Sequence, residues 1–395
     1  MKKIVATILC ATMVMGLMAC SSGQQTPAAP AADSAASEAA SEAAAPAEAS
    51  TEAAAEASTE AAAEASTEAA PAEAAGGTVE DALAKAAEEQ WEIAVVPKDS
   101  TNPWFVRMKA GVDEITAQYG LNSYQVDTGT IDATHQAQQV EDLIAQGVDA
   151  ICVVPVDIES MDTVLKKAKD AGIVVITHEG ADLKNVDYDI EAFSNEGYGA
   201  FIMQNLAEAM GEEGLYTTMV ADLTNGSHNE WADAGVAYQK ENYPNMTLLE
   251  DQPRVESHDN GDTAYNVAKE LIKTYPDLKG IMGTSSFDAP GVARAIEELG
   301  LIDAFFTSGT GMPADNAELL KSGTVKSLTL WDPAIAGEAM VAFAAIVLSG
   351  QEVAEPVNLG QPGYDAMTFR PGSSTVLEGE GWVVINADNV DSFGF

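Results

Sequence analysis

The chain has 395 residues, and 62 acidic side chains against 19 basic ones give it a formal charge of −43. Binding a polyanion needs a basic face, so DNA and RNA are excluded as partners. The cysteines, Cys10, Cys20 and Cys152, are too few and too scattered for a disulfide scaffold or a paired-thiolate zinc site.

Lys2 and Lys3 precede an apolar stretch from Ile4 to Ala19, which Leu17-Met18-Ala19-Cys20 closes with a small residue before a cysteine. This is the pattern of an export signal. It resembles the bacterial lipoprotein signal, which implies that Cys20 becomes the lipidated first residue of the mature chain. A plain signal peptide or an anchoring helix is the alternative, although the stretch is short against the roughly 20 residues of a membrane span. From Ser21 to Gly77 there is no Val, Ile, Leu, Met or aromatic residue, so no core can form there. The octad Glu-Ala-Ser-Thr-Glu-Ala-Ala-Ala starts at Glu48, repeats from Glu56 and nearly repeats from Glu64, with Pro46 and Pro71 as interruptions. Residues 21–80 are therefore expected to be a semi-rigid, partly helical, self-repelling tether. A lipid at one end and a folded body at the other place the protein at the outer face of a membrane.

The remainder alternates short apolar runs with helical patterns. Ile93 to Pro97 predicts a strand and is followed by a helix to Tyr119; Ser123–Val126 with Ala133–Gln146, and Ala150–Pro155 with Met161–Ala171, repeat the unit before Ile173–Thr177. Further on come Leu215–Val220 with Glu230–Asn242, Met246–Leu249 with Thr263–Thr274, and Gly280–Gly283 with Gly291–Leu299. Ala304–Thr307 and Val325–Leu330 end the series. Such βα repeats imply an α/β fold of mostly parallel sheets with helices on both faces. Ten or more strands favour two sheets over one.

Ligands of such sheets sit beyond the carboxyl ends of the strands. There the sequence places Lys98-Asp99-Ser100-Thr101-Asn102-Pro103-Trp104-Phe105, Thr177-His178-Glu179-Gly180, Asn225-Gly226-Ser227-His228-Asn229-Glu230-Trp231, Thr284-Ser285-Ser286-Phe287-Asp288 and Trp331-Asp332. Indole faces beside carboxylate, amide and ammonium groups suit a small polyhydroxylated ligand. Taken singly, each Ser, Asn or Asp could be a helix cap and each Trp a core residue. Five clusters at successive strand ends weigh against that reading for the set.

Val96-Pro97-Lys98 with Asn102-Pro103-Trp104-Phe105-Val106, Leu143 to Ile151, and Gly172 to Thr177 resemble segments of the sugar-binding proteins of ABC importers, the type I periplasmic-binding-protein family that includes ribose-binding proteins. Gly323-Thr324-Val325-Lys326, Leu330-Trp331-Asp332 and the ending from Val383 to Phe395 are similar to its autoinducer-2 and rhamnose-binding branch. The resemblance implies two lobes, residues 88–194 with 332–360 and residues 195–331 with 361–395. It also implies three crossings, near Ser194, near Trp331-Asp332 and near Leu359 to Gly363, with ligand held in the cleft for an ABC permease and its ATPase.

Carried over one by one, the ligand-contacting lysine of that branch falls on Lys98, and the aspartate after the fourth strand falls on Glu179. An Asp-Gln pair falls on Ser227-His228, and proline and alanine positions fall on Thr284 and Ser286. The lost Asp-Gln pair argues against autoinducer-2 and for a pentose, a deoxyhexose or a related sugar. The ribose pattern is incomplete too, since Gly180 and Thr310-Gly311 replace its arginine and its Phe-Asp pair. The expected ligand-binding set is Lys98, Asn102, Trp104, Phe105, Glu179, Ser227, His228, Asn229, Thr284, Ser285, Ser286, Asp288, Thr310, Trp331 and Asp332.

Hydrolase or lyase chemistry on His178, Glu179 or His228 is the competing class. No Walker loop, Gly-x-Ser-x-Gly elbow or His-Glu-x-x-His motif accompanies those residues, so neither catalysis nor a metal or cofactor is expected. A transcriptional regulator would need a basic helix-turn-helix before Trp91. Uptake of autoinducer-2, or a sensor presenting sugar to a membrane receptor, is the alternative function.

Overall fold

The computed structural model describes residues 77–395; the export signal, Cys20 and the tether up to residue 76 lie outside the described residues. The described chain opens with helix α1 (Val79–Glu89), so the tether expected to reach residue 80 gives way to helix at its end. Thr78 and Asp81 form a reciprocal capping box, and Val79, Ala82, Leu83 and Ala86 bury one face.

Strand β1 (Glu92–Val96), helix α2 (Pro103–Tyr119), β2 (Asn122–Gln125), α3 (Ala133–Gln146), β3 (Ala150–Val153), α4 (Ile158–Asp170), β4 (Val174–Thr177) and β5 (Tyr188–Glu191) make up the first βα series. The second comprises α5 (Asn195–Met210), β6 (Glu213–Val220), α6 (Gly226–Asn242), β7 (Asn245–Leu248), β8 (Arg254–Glu256), α7 (Gly261–Thr274), β9 (Leu278–Gly283), α8 (Asp288–Leu299), β10 (Phe306–Ser308) and α9 (Pro313–Lys321). Strand β11 (Leu328–Trp331), α10 (Pro333–Ser349), β12 (Thr368–Phe369), β13 (Val376–Glu378) and β14 (Trp382–Ile385) finish the chain.

The first sheet runs β12-β13-β5-β4-β3-β1-β2, parallel throughout except where β12 meets β13. Its residues alternate between two cores. Ile93, Val95, Cys152, Ile176 and Ile190 face the side covered by α1, α2 and α10, whereas Ala94, Val96, Ile151, Val153 and Val175 face α3 and α4. The second sheet is β10-β9-β6-β7, with β8 continuing β7's edge of β6, and all its pairings are parallel. Met219 and Ile281 face α7 and α8, while Tyr216 and Met282 share a core with α5. Two α/β layers with helices on both faces are thus what the apolar periodicity requires.

The last crossing differs from expectation. Residues 361–395 were assigned to the second lobe, but β13 runs parallel to β5, with Val376 opposite Asp189 and Glu378 opposite Glu191, and β12 pairs onto β13. The chain leaves the first sheet after Glu378, not near residues 359–363. Val376 and Leu377 bury against the first sheet, and the open edge of β5 supplies their hydrogen-bond partners. Only β14 then pairs elsewhere, antiparallel to β11.

Candidate functional site

Both sheets direct their carboxyl ends at one pocket. From the first come Lys98 beyond β1, Trp104 and Phe105 on the opening turn of α2, and Glu179 beyond β4. From the second come His228 and Trp231 on α6, Asp259 beyond β8, Thr284 and Ser286 beyond β9, and Thr310 beyond β10. Trp331, the last residue of β11, and Asn102 complete the lining. Asn102 also caps α2, its Oδ1 accepting from the Trp104 backbone N–H at 2.9 Å with Pro103 behind it, which fixes where the two aromatic rings emerge.

Lys98 Nζ donates to Glu179 Oε2 at 2.5 Å, and both side chains are almost wholly buried. Burial pushes the Glu179 carboxyl upward, while the Lys98 ammonium pulls the other way. Glu179 holds φ 59°, a left-handed conformation rare for this residue type, and so turns its carboxylate back into the pocket. His228 Nε2 lies 3.9 Å from Glu179 Oε2. Its Nδ1 accepts from the Ala221 backbone N–H at 3.4 Å, and burial followed by the Lys98 charge holds it well below its ordinary value. His228 is therefore neutral and presents an Nε2–H donor. Burial pushes Asp259 upward too, against the pull of Lys98, and Ser285 Oγ donates to it.

The apolar wall is a cluster of rings. Trp104 meets Phe105 at 4.8 Å and Trp331 at 5.3 Å, and Trp331 meets Trp231 at 5.6 Å. Trp231 is anchored by its Nε1–H donating to Asn195 Oδ1 at 2.7 Å. The Nε1–H groups of Trp104 and Trp331 are buried and have no protein partner, so each can donate to a hydroxyl as well as offer a face. The atom-free space among these side chains, including its mouth, is about 310 Å³.

Ten of the fifteen expected residues thus meet at the pocket, and five do not. Ser227 is buried with an unpartnered Oγ outside the lining. Asn229 turns away, donating to the Asp222 and Asn225 carbonyls and accepting from Arg254 at 2.8 Å. Ser285 binds Asp259. Asp288 accepts from the backbone N–H groups of Thr284 and Ser285 at 2.9 Å each, and burial pushes it up to about 7. Asp332 caps α10 and holds Arg107 through two bonds, at 2.9 and 2.8 Å. These residues shape the site from behind. His178 also stands behind it, stacked on Trp331 at 6.0 Å and 3.0 Å from the Tyr364 hydroxyl, with burial holding it down at about 3.

Trp231 and Asp259 line the pocket but were not in the expected set. Trp231 was legible, three residues after His228 and so on the same helical face. Asp259 follows a three-residue strand of half-exposed side chains, and both His258 and Asp259 adopt positive φ, 54° and 49°. The polar run between Leu249 and Thr263 carries no apolar pattern that would have marked it.

Comparison with known proteins agrees with this geometry. The sequence profile of the periplasmic binding protein domain matches residues 93–352. The ribose import binding protein of Bacillus subtilis is 24% identical over 281 residues, 69% of this chain and 86% of that protein. A xylitol-binding protein of Mycolicibacterium smegmatis is 29% identical over 228 residues, 56% of this chain and 62% of that one. Among solved structures, LsrB of Clostridium saccharobutylicum in complex with AI-2 superposes with a TM-score of 0.70 at 21% identity, covering 77% of this chain and all of that one. A solute-binding protein of Clostridium phytofermentas with bound L-rhamnose gives 0.69 at 16%, covering 77% and 98%. A profile that spans most of the folded chain, on two parallel sheets facing one pocket, identifies the chain as a member of the periplasmic binding protein family.

Proposed function

We propose that the protein captures one small neutral sugar, a pentose, a deoxyhexose or a related polyol, and delivers it to an ABC importer. One observation carries the reading: a compact pocket in which charged and hydroxyl groups from both sheets surround a wall of four aromatic rings. Lys98, the two free indole N–H groups and His228 donate; Glu179 and Asp259 accept; the rings take the apolar faces of the sugar. Two carboxylates against one ammonium disfavour sugar acids and phosphates. A ligand that touches groups from both sheets stabilises their approach, so binding shifts the population towards a closed form that a permease can recognise. No bond has to be made or broken.

The relatives that bind ribose and xylitol and the rhamnose-bound structure support the sugar class. A thermal-shift screen over neutral pentoses, deoxyhexoses, polyols and AI-2 tests it. A sugar at about a hundred times its Kd adds roughly 2.7 kcal/mol to the folded state, which raises Tm. A shift with AI-2 alone would move the assignment to signal uptake.

We further propose that Cys20 carries the lipid anchor. Among the described residues no helix is long and apolar enough to cross a membrane, and Cys152 is buried in β3. Cys20→Ala is expected to shed the protein from the membrane fraction or leave it unprocessed. Retention and processing like those of the wild type would contradict the anchor.

A further inference from the structure

Behind the pocket, β5 carries Asp189 and Glu191, two residues apart and hence on one face. Both are completely buried. Asp189 Oδ1 accepts from Thr177 Oγ1 at 2.6 Å and from the Gly180 backbone N–H at 3.0 Å, which ties down the turn that aims Glu179 into the pocket. Glu191 Oε1 accepts from Asn195 Nδ2 at 3.3 Å, and it is Asn195 that anchors the Trp231 indole. The two carboxyls therefore reach, through one intermediary each, a pocket residue of the first sheet and one of the second.

Their remaining oxygens, Asp189 Oδ2 and Glu191 Oε2, are buried without a donor. The charged neighbours do not neutralise both groups. Arg370 acts on both carboxyls and its Nη2 is itself buried without a partner, but its single positive charge is shared with Glu230 at 3.0 Å and Glu378 at 2.7 Å, Glu230 also accepts from Asn195 at 2.9 Å, and Glu179 adds further negative charge. Tyr364 beside them is held in its neutral form by burial and by Glu191.

We propose that Asp189 and Glu191 are positioning residues for the pocket, which share one proton and thereby hold the Glu179 turn and the Trp231 anchor in register. A shared proton satisfies both orphaned oxygens, whereas two bare carboxylates leave both unsatisfied and repel each other. This rests on the pocket assigned above as the ligand site. Burial pushes Asp189 up to about 6, and it raises Glu191 well above its ordinary value, with Asp189 adding to the effect. Above the ordinary carboxylate range the folded state thus binds more protons than the unfolded state. Stability falls as pH rises through about 6 and beyond, and the pocket loosens with it.

The test compares the wild type with Glu191→Gln, whose amide can donate as the protonated carboxyl does. Tm without sugar, and calorimetric affinity for D-ribose and L-rhamnose, are measured from about pH 5.5 to about pH 8.5. The wild type should lose Tm and about ten-fold in affinity across that range, the equivalent of one pK unit of coupling, and Glu191→Gln should flatten both profiles. Histidines elsewhere titrate alike in both proteins and cancel in the comparison. Superimposable Tm profiles would overturn the shared proton, and affinity profiles that match despite different Tm profiles would overturn the positioning role. Should neither sugar bind, the sugar reading fails separately, while the Tm profiles still decide whether the pair shares a proton.

Discussion

Lys98→Ala is expected to weaken sugar binding by roughly ten-fold to a hundred-fold, the loss of a charge-assisted bond in a dry site. It is also expected to destabilise the protein by about 3–5 kcal/mol, because Glu179 would be left buried without its cation. The two effects can be separated. Adding Glu179→Gln to Lys98→Ala removes the bare charge and should restore most of the stability without restoring affinity. Denaturant unfolding and calorimetric titration of the three proteins check both statements, and wild-type affinity in Lys98→Ala would remove this pair from the site.

Trp331→Ala is expected to be comparably disruptive. Its ring is 2% exposed and lies within 6.0 Å, centroid to centroid, of Trp104, His178, Phe193, Tyr198 and Trp231. Removing a buried ring of this size costs about 3–5 kcal/mol, because the surroundings collapse only in part. Affinity should fall with it, since the pocket loses one wall and one free indole donor. Trp331→Phe keeps a ring in the wall but loses the Nε1–H and leaves a smaller cavity, so stability should fall by less than in Trp331→Ala while affinity still drops. Equal affinity in wild type and Trp331→Phe would show that the indole donor is not used.

The architecture was legible wherever burial writes itself into local sequence. Parallel strands covered on both faces read as short apolar runs, and Ile93–Pro97, Ala150–Pro155 and Leu215–Val220 fall on β1, β3 and β6. Helix α1 was hidden because Ala82, Ala84, Ala86 and Ala87 continue the alanine-rich composition of the tether, and only Val79 and Leu83 mark the change. Strand β8, Arg-Val-Glu at a sheet edge with all three side chains half-buried, carries no apolar run. The destination of β13 was not legible at all, since Val376 and Leu377 would suit either sheet, and pairing with β5 is decided across nearly 190 residues of sequence.

The same division explains the site. Strand ends point at the cleft in any fold of this kind, so Lys98, Glu179 and Thr284 were found from position alone, whereas Thr310 entered through the family resemblance. Residues at helix starts needed the helical angle as well. His228 and Trp231 face inwards three residues apart, whereas Asn229, turned by one residue, must face elsewhere. Asp288 and Asp332 lie at strand ends yet are consumed by backbone N–H groups and by Arg107. A carboxylate that caps a helix and one that meets a ligand carry the same letter.

The central claim is that a single sugar bridges the carboxyl ends of the two sheets. A crystal structure of the protein soaked or co-crystallised with the sugar that raises Tm most tests it directly. One ring is expected packed against the wall that Trp104 and Trp331 form in edge contact, with hydroxyls bonded to Lys98 or Glu179 on one side and to Asp259, Thr284 or His228 on the other. Density for the sugar in the groove beside Arg254, Glu270 and Tyr275, or contacts confined to one sheet, would contradict it.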